Sequence, residues 1–322
     1  MQKKAIKGVA NAAKKIGRNI KTTKGKIIYA FVLVVVALAA LLIGSKLGYW
    51  ENPFSDIFGT KQTAAANACS VHYIDVGQGD CELVECDGKY MLIDAGENGF
   101  ETVVINYLKS HKIEVLDYVV ASHQHSDHIG GLSEVLEAFE VKNIIMPRLT
   151  KTQIPTNSTY SDFTKAVKAS GAKVIEAKVG ATYELGSGEF EILGPVTNDA
   201  EDINNMSVVM RFDYGENSFL FTGDAETEEE NEILETDANL DCDVLKVGHH
   251  GSSSSSGKKF LDAVTPEICV ILCGKDNSYG HPHKEITKRL KKYTDETYRT
   301  DVCGSIVISS NGKDLTVDYE NK

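Results

Sequence analysis

The hydrophobic positions of this chain follow two different patterns. Residues 27–43 are almost wholly apolar, whereas from residue 70 onward short apolar runs alternate with stretches of helical spacing. Residues 116–121 (LDYVVA) form a nearly continuous apolar run, which is typical of a strand buried on both faces. Strands and helices mixed in this way predict a layered α/β domain over residues 70–322.

The same patterns predict the individual elements of this domain. Asp87-Gly88 between two apolar runs predicts a tight hairpin. The predicted strands are 70–75, 81–86, 90–93, 116–121, 143–146, one near 174, 190–193, 208–212, 219–222, 244–247, 268–272, 305–309 and 315–319. The predicted helices are 100–110, 132–139, 160–169, 226–235, 258–264 and 284–293. The interval 147–189 gives the weakest pattern.

The apolar stretch near the N-terminus predicts one membrane-spanning helix. Seventeen helical residues, 27–43, cover about 26 Å, which is close to the hydrocarbon thickness of a bilayer. Nine basic and no acidic residues precede it, so we expect residues 1–26 in the cytoplasm, a transmembrane helix over 27–45 and a linker over 46–69. A buried core helix and a cleaved signal peptide are the alternatives, but the small residues 64–68 lie far from the apolar segment for normal cleavage.

Charge separates the basic arm, residues 1–26, from the acidic body, which is the rest of the chain. The chain carries a net charge of −12, and beyond residue 26 its 25 basic and 46 acidic residues give −21. An acidic body repels a phosphate backbone at long range, so tight nonspecific DNA binding is not expected. Metal ions can nevertheless reverse the local sign at a site. The seven cysteines form no C-x-x-C pair, and their odd number leaves at least one thiol free or paired with another molecule. For a domain of this size we infer no disulfide framework.

Seven of the nine histidines lie in three short segments, which are SHQHSDH (122–128), GHHG (248–251) and GHPH (280–283). Residues two apart in an extended segment face the same side, so His123 and His125 can hold one metal ion. Asp127 and His128 then turn toward a second ion as the next helix begins. Two ions about 3.5–4 Å apart can hold a bridging hydroxide and clamp both oxygens of a displacement. Asp224, in a Gly-Asp turn after a predicted strand, is a candidate bridging carboxylate.

These motifs resemble the metallo-β-lactamase superfamily. The match sharpens in four further segments, DVGQGD (75–80), LIDAG (92–96), LKVGHHGS (245–252) and NSYGHPH (277–283). They look like the C-terminal hydrolase domain of ComEC-type competence proteins, over about residues 70–320. The resemblance implies an αββα sandwich with the metal site at one edge of the two sheets. A whole ComEC protein has many membrane helices, so this form with a single anchor is not expected to transport DNA alone.

The resemblance also implies roles for individual residues. The implied metal ligands are His123 and His125 on one ion, Asp127 and His128 on the other, bridging Asp224, and His281. Asp94 would steady a ligating imidazole, and Asp75, Gln78 and Asp80 would line the site. Many relatives have a further histidine before the bridging aspartate, where this chain has only Asn205 and Ser207 nearby. Either one metal site is weaker, or the His249-His250 pair supplies the ligand. We expect His250 to be that ligand and His249 to protonate a leaving group, with the reverse assignment left open.

The leading functional prediction is a phosphodiesterase or nuclease outside the cell membrane. It would use two divalent ions, zinc or manganese, and a bridging hydroxide, with Asp127 orienting the nucleophile and His249 as proton donor. Single-stranded DNA and a cell-envelope polymer are the candidate substrates, the membrane is the partner of the N-terminal helix, and no protein partner is inferred. An amide or lactone hydrolase of the β-lactam type is the first alternative. A binding module with a structural metal is the second.

Overall fold

The fold is seen in a computed structural model, which describes residues 69–321 of the chain. The predicted basic arm (1–26), transmembrane helix (27–45) and linker (46–69), apart from residue 69, lie outside the described residues and stay predictions. Among residues 69–321, no helix is both long and apolar enough to cross a membrane.

The described residues form two β-sheets. The larger sheet has eight strands in the order β15-β14-β1-β2-β3-β4-β5-β6. Its strands are β1 Cys69–Tyr73, β2 Glu82–Cys86, β3 Lys89–Ile93, β4 Val115–Val120, β5 Glu140–Met146, β6 Lys173–Glu176, β14 Ile306–Ser310 and β15 Leu315–Tyr319. Neighbours from β3 to β6 pair in parallel, and the other neighbours pair antiparallel.

The second sheet has seven strands in the order β13-β12-β11-β10-β9-β8-β7. Its strands are β7 Thr182–Leu185, β8 Gly188–Ile192, β9 Met210–Tyr214, β10 Asn217–Phe221, β11 Val244–Lys246, β12 Ile268–Ile271 and β13 Glu296–Arg299. From β10 to β13 the strands run parallel, while β7, β8, β9 and β10 pair antiparallel. Parallel strands have their carboxyl ends at the same sheet edge, and that edge carries the histidine segments.

Most of the helices cover the outer face of a sheet. They are α1 Glu101–Ser110, α2 Ser126–Ile129, α3 Leu132–Ala138, α4 Ser158–Ser170, α5 Thr227–Leu234, α6 Lys258–Val264, α7 Lys284–Leu290 and α8 Thr300–Cys303. Val104, Leu132 and Phe163 of α1, α3 and α4 pack in the core of the larger sheet's outer face. Ile233, Phe260 and Ile286 of α5, α6 and α7 pack in the corresponding core of the second sheet. A third core of aromatic and aliphatic side chains joins the two sheets. The predicted αββα sandwich is therefore confirmed.

The predicted hairpin connects β2 and β3 through Asp87 and Gly88. Both loop residues have positive φ, 52° and 71°, and Cys86 pairs directly with Lys89. A two-residue loop of this kind matches the right-handed twist of the paired strands. At this same end of β2, on its other side, Cys69 of β1 and Cys86 are register partners and form a disulfide. The sequence predicted no disulfide framework, and this one bridge is a local cross-strand pair.

Some elements differ from the predicted ones. Strand β7 (TYEL) was not predicted, because only one of its four residues is buried and it lies at a sheet edge. Strand β13 (ETYR) was also missed, since it too is an edge strand with no fully buried residue. The predicted strand 208–212 is shifted to Met210–Tyr214, and residue Val208 instead bonds to the carbonyl of Ser122 beside the histidine segment. The predicted helix 284–293 ends at Leu290.

Candidate metal centre

The histidine segments meet at the carboxyl ends of parallel strands in both sheets. Segment 122–128 follows β4, Asp224 follows β10, and segment 248–251 follows β11. Residues far apart in sequence therefore come together at one edge. We call His123, His125, Asp127, His128, Asp224 and His250 the main centre.

His123 and His125 form one half of the main centre. The Nε2 atom of His123 lies 3.1 Å from Nδ1 of His125, so two ring nitrogens converge on one position. On its other side, Nδ1 of His123 lies 3.2 Å from the Ser122 hydroxyl and 3.5 Å from the Ser207 hydroxyl. These hydroxyls hold the ring of His123, which is fully buried, whereas His125 is partly exposed.

Asp127, His128, Asp224 and His250 form the other half. Each offers one ligand atom, and these atoms all lie within 4.8 Å of one another. Oδ2 of Asp224 is 3.3 Å from Nε2 of His128 and 3.5 Å from Nε2 of His250. Oδ2 of Asp127 is 3.3 Å from the same nitrogen of His250. Asp224 thus faces imidazoles from two sheets.

His249 and His281 lie at the rim of the main centre. Nε2 of His249 is 3.5 Å from Oδ2 of Asp224, and its Nδ1 is 3.1 Å from Oε1 of Glu226. The side chain of His249 is 21% exposed, against 1% for His250, so His249 can reach a bound substrate. The ring of His281 lies 6.1 Å from that of His250 and 5.6 Å from that of His249, centroid to centroid. His281 is therefore beside the four-residue group and not within it.

Two buried aspartates hold the ligating imidazoles from behind. Oδ2 of Asp94 lies 2.8 Å from Nδ1 of His128, and the same carboxylate accepts bonds from the backbone N–H and the hydroxyl of Ser122. Nδ1 of His250 forms a 3.0 Å hydrogen bond with the backbone carbonyl of Leu272 and lies 3.2 Å from Oδ1 of Asp80. A hydrogen bond to Nδ1 fixes the ring so that Nε2 points into the centre. Glycine at position 79 lets the loop that carries Asp80 pack closely against the backbone of Asp127, since a Cβ there would lie 2.3 Å from the carbonyl oxygen of Asp127.

Lys246 supports the site, and the sequence patterns did not predict this role. It is fully buried, its ammonium group pairs with Asp80, and it donates a 2.7 Å hydrogen bond to the carbonyl of Gly223. Lys246 therefore connects the support of His250 to the turn that carries Asp224. The signal was a lysine inside the apolar run 244–247, because lysine is almost never fully buried without a partner. Glu226, the partner of His249, was also missed.

The carboxylates set the protonation of the centre. Burial disfavours a charged imidazole, but the carboxylates of Asp224 and Asp80 outweigh it and raise the pKa of His250 to about 10. Burial likewise opposes the charge on His128, yet Asp224 and Asp127 raise its pKa well above the usual value. Although burial alone would raise the pKa of Asp224, His250 and His128 hold it well below the usual range. The cluster therefore attracts positive charge.

These residues fit divalent metal ions. Within residues 69–321, Nε2 of His128 and Oδ1 of Asp224 are buried without a hydrogen-bond partner. Imidazole nitrogens and carboxylate oxygens are the ligands that zinc and manganese accept, and a cation would replace the protons that the carboxylates now hold on the rings. The donor set and its orphaned atoms thus agree with the metal ions that the fold implies.

The remaining predicted residues lie at different distances from the centre. Ser207 touches it, because its hydroxyl contacts Nδ1 of His123 and accepts a 3.0 Å bond from the backbone N–H of Asp224. Asn205 instead bonds to Glu228 and to the backbone N–H of Glu226. Asp75 and Gln78 belong to the first loop. The Asp75 carboxylate accepts a hydrogen bond from the backbone N–H of Gly77, and the Gln78 side-chain carbonyl accepts one from the backbone N–H of Gly274. None of these three side chains forms a hydrogen bond to the main centre among the described residues.

A groove of 1090 Å³ begins at His125 and leads away from the centre. Its lining is rich in hydroxyl, amide and carboxylate groups and includes Gln124, Thr150, Thr152, Gln153, Thr156, Asn157, Asp199, Glu201 and Asp202. No lysine or arginine lines it in the described part of the chain. The guanidinium of Arg299 is paired with the carboxylate of Asp301 at 2.6 and 2.9 Å.

The fold and site together define a class of protein. A four-layer αββα sandwich with buried histidines and aspartates at one sheet edge is the architecture of a metal-dependent hydrolase. The chain belongs to the metallo-beta-lactamase superfamily, whose family model matches residues 74–275.

Three competence proteins of the ComEC type are its homologues. ComE operon protein 3 of Bacillus subtilis (strain 168) is 32% identical over 254 residues, which is 73% of this chain and 32% of that protein. Recombination protein 2 of Haemophilus influenzae is 31% identical over 244 residues, 74% of this chain and 28% of that protein. Competence protein ComA of Neisseria gonorrhoeae is 29% identical over 283 residues, 85% of this chain and 38% of that protein. The chain thus spans about a third of the length of these relatives.

Among solved structures, a mutant of CmlA beta-hydroxylase, an enzyme from Streptomyces venezuelae, matches with a TM-score of 0.51. The two chains are 15% identical, and the match covers 84% of this chain and 59% of the other. At this identity the likeness shows the fold alone.

Proposed function

We propose that this metal-dependent hydrolase is a phosphodiesterase that acts outside the cell membrane. The observation that carries the proposal is the convergence of Asp127, His128, Asp224 and His250 within 4.8 Å beside an open polar groove. A structural zinc site has four closed ligands. Here further imidazoles, His123 and His125, adjoin the four, which favours an open site for two ions, zinc or manganese.

Each ion would have its own set of residues. His123 and His125 would hold one, and Asp127, His128 and His250 would hold the other, with Asp224 between them. Bound divalent ions would supply Lewis-acid stabilisation of a phosphate and a nucleophile at neutral pH. The chain's task is to hold the substrate and move protons.

Two side chains at the open side are suited to that task. The Asp127 side chain is 25% exposed, and although burial opposes it, His128 and His250 keep its pKa below the usual range. It is therefore a carboxylate that can orient an attacking water. Nδ1 of His249 lies 3.1 Å from the carboxylate of Glu226, which orients the ring, so that its Nε2 can give a proton to the leaving oxygen.

The groove bears on the substrate. Asp199, Glu201 and Asp202 line it and no lysine or arginine does so in the described residues, so a long polyanion would gain little there. This favours a phosphodiester of a cell-envelope polymer over single-stranded DNA. The homology to competence proteins supports the DNA alternative. The same acidic lining also favours a second candidate, an uncharged amide or lactone substrate.

The location is part of the proposal. We expect the predicted helix 27–45 to anchor the chain with its basic arm in the cytoplasm, so that the hydrolase domain lies outside. The Cys69–Cys86 disulfide supports this side, because disulfides persist in oxidising compartments. Protease treatment of intact spheroplasts should remove the hydrolase domain. Full protection until the membrane is lysed would contradict this orientation.

The function is tested on the full-length chain in detergent. Hydrolysis of bis(p-nitrophenyl) phosphate is measured with added zinc or manganese, beside a glycerol-phosphate polymer, a single-stranded oligonucleotide and a chromogenic β-lactam. Asp127→Asn should abolish turnover of the diester. Asp314→Asn is the matched control, because Asp314 is exposed in the turn between β14 and β15.

Each outcome has a distinct meaning. Metal-dependent diester turnover that Asp127→Asn removes supports the phosphodiesterase. Cleavage of the oligonucleotide in preference to the polymer would overturn the envelope assignment, and its KM should fall as salt screens the acidic groove. Turnover of the β-lactam alone would replace the proposal with carbonyl hydrolysis. Metal binding without any turnover would leave a binding module.

A further inference from the structure

Two histidines lie outside the main centre, and the fold brings them together. His72 is on β1 and His111 directly follows α1, yet their rings lie 4.9 Å apart, edge to face. Glu85 of β2 shares their face of the larger sheet, because His72 is the register partner of Leu83, two residues before Glu85. We call His72, Glu85 and His111 the outer cluster.

One atom of the outer cluster is buried without a partner. His72 is 3% exposed, and its Nδ1 lies 2.9 Å from the hydroxyl of Tyr107. Its Nε2 has no hydrogen-bond partner within residues 69–321. Buried polar atoms in folded proteins nearly always have a partner, so an orphaned ring nitrogen calls for a bound species.

The charges of the cluster also point to a cation. Burial, with a smaller contribution from His111, lowers the pKa of His72 to about 3, and burial lowers that of His111. Both rings are therefore neutral at neutral pH, which is the state in which an imidazole binds metal. Glu85 is half-buried, and no lysine or arginine in the described part of the chain forms an ion pair with it. Burial accordingly raises the pKa of its carboxyl group.

We propose that the outer cluster is a second metal site, separate from the main centre, for one divalent transition metal of the zinc class. One ligand atom each of His72, Glu85 and His111 lies within 4.8 Å of the others. Two imidazoles and one carboxylate suit zinc, with solvent in the fourth position because Glu85 and His111 are partly exposed. With Nε2 of His72 on the ion, its Nδ1 would carry the proton and donate a hydrogen bond to the Tyr107 hydroxyl, which would fix the direction of the ring.

Such an ion would add a link between two elements that already share the hydrogen bond between His72 and Tyr107. His111 lies at the C-terminal end of α1, whereas His72 and Glu85 belong to neighbouring strands. A ligand that binds only the folded state stabilises it, so the ion would fasten this helix end to the sheet. The role is structural, since the cluster has no link to the groove.

The test compares metal content in the full-length chain. Wild type, His111→Ala and Glu85→Gln are equilibrated in a zinc buffer, separated by gel filtration and measured by plasma mass spectrometry. Glu114→Gln is the matched control, because Glu114 is exposed just beyond the cluster. We expect each cluster variant to hold one zinc fewer per chain than wild type and the control, with diester hydrolysis unchanged. Equal zinc in all four proteins would overturn the site.

A second measurement isolates the outer cluster from the main centre. In a chain that carries Asp127→Asn and Asp224→Asn, added zinc should still raise the thermal midpoint. Adding His111→Ala to that background should remove the increase. An equal increase with and without His111→Ala would overturn the proposal, and this result does not depend on whether the main centre is a phosphodiesterase.

Discussion

The half of the main centre around Asp224 and the outer cluster lie in opposite electrostatic surroundings. In the main centre, His128 and His250 face the carboxylates of Asp80, Asp94, Asp127 and Asp224, and both ring pKa values are raised despite burial. In the outer cluster, His72 and His111 share one half-buried glutamate, and both ring pKa values are lowered.

The difference shows that carboxylates, and not the number of imidazoles, decide what a histidine cluster does. An excess of carboxylates draws in positive charge and keeps several ligand atoms close to an open groove. A pair of neutral rings against one carboxylate can hold one ion but offers no second carboxylate to orient a nucleophile. Single substitutions in and around the main centre and the outer cluster therefore test this difference.

The largest effect is expected from Asp224→Asn. Oδ2 of Asp224 lies within 3.5 Å of ring nitrogens of His128, His249 and His250. The amide of asparagine would remove the negative charge that all three rings face. Losing a metal ligand removes several kcal/mol of charge stabilisation, so diester turnover should fall by at least about 10³-fold. Turnover and metal content are both measured. Retention of both, at the level of the Asp314→Asn control, would show that Asp224 is not a ligand.

The next largest effect is expected on stability from Lys246→Met. The substitution keeps the apolar stem but leaves the buried carboxylate of Asp80 without its ammonium partner. Breaking a buried ion pair costs about 3–5 kcal/mol, which urea unfolding measures. Lys89→Met is the matched control, because Lys89 forms an exposed pair with Asp117 and such pairs contribute little. Equal free energies of unfolding for the two variants would contradict a supporting role for Lys246.

The sequence predicted most of the fold because its strands are buried on one or both faces. Strand β3 sends Met91 and Ile93 into the core between the sheets and Leu92 toward the helices, and such runs are easily read. The edge strands β7 and β13 lack that burial, so periodicity had no signal to detect them. Sheet order depends on long-range pairing and was not predicted, and the two-sheet layering came from the resemblance to a known family, not from the pattern.

The candidate site could be predicted in part. The spacing of His123, His125, Asp127 and His128 is local, so one segment displays it. Lys246 and Glu226 act on residues that folding brings near them, and a single sequence does not show such contacts. The pairing of His72 with His111 depends on how α1 crosses the sheet, which spacing alone does not give.

A smaller effect on turnover should follow from His249→Gln. If His249 donates a proton and does not bind metal, kcat should fall by about 10²-fold with KM and metal content unchanged. His283→Gln is the control, since His283 contacts Ser253 on the far side of His281 and faces none of the carboxylates. A parallel fall in metal content would instead make His249 the ligand and reverse its assignment with His250.

The smallest effect is expected from His72→Asn, measured in the presence of a chelator. It is a change in the slope of the unfolding free energy against pH. Asparagine keeps a partner for the Tyr107 hydroxyl near the position of Nδ1 but does not titrate. The folded pKa of His72 is about 3 and its unfolded value about 6.5, so the unfolded state binds the proton first as pH falls. Wild-type stability should therefore decline relative to the variant below pH 6.5, by at most about 1.4 kcal/mol per pH unit.

Urea unfolding between pH 7.5 and 4.5 measures this difference. Above pH 6.5 the two curves should run parallel, because neither folded nor unfolded His72 is protonated there. Below pH 6.5 the free energies of unfolding of the two proteins should converge, because only wild type loses the contribution of a neutral buried ring. The opposite slope would mean that His72 gains a proton on folding, as His250 does among its carboxylates, and the contrast between the two clusters would then disappear.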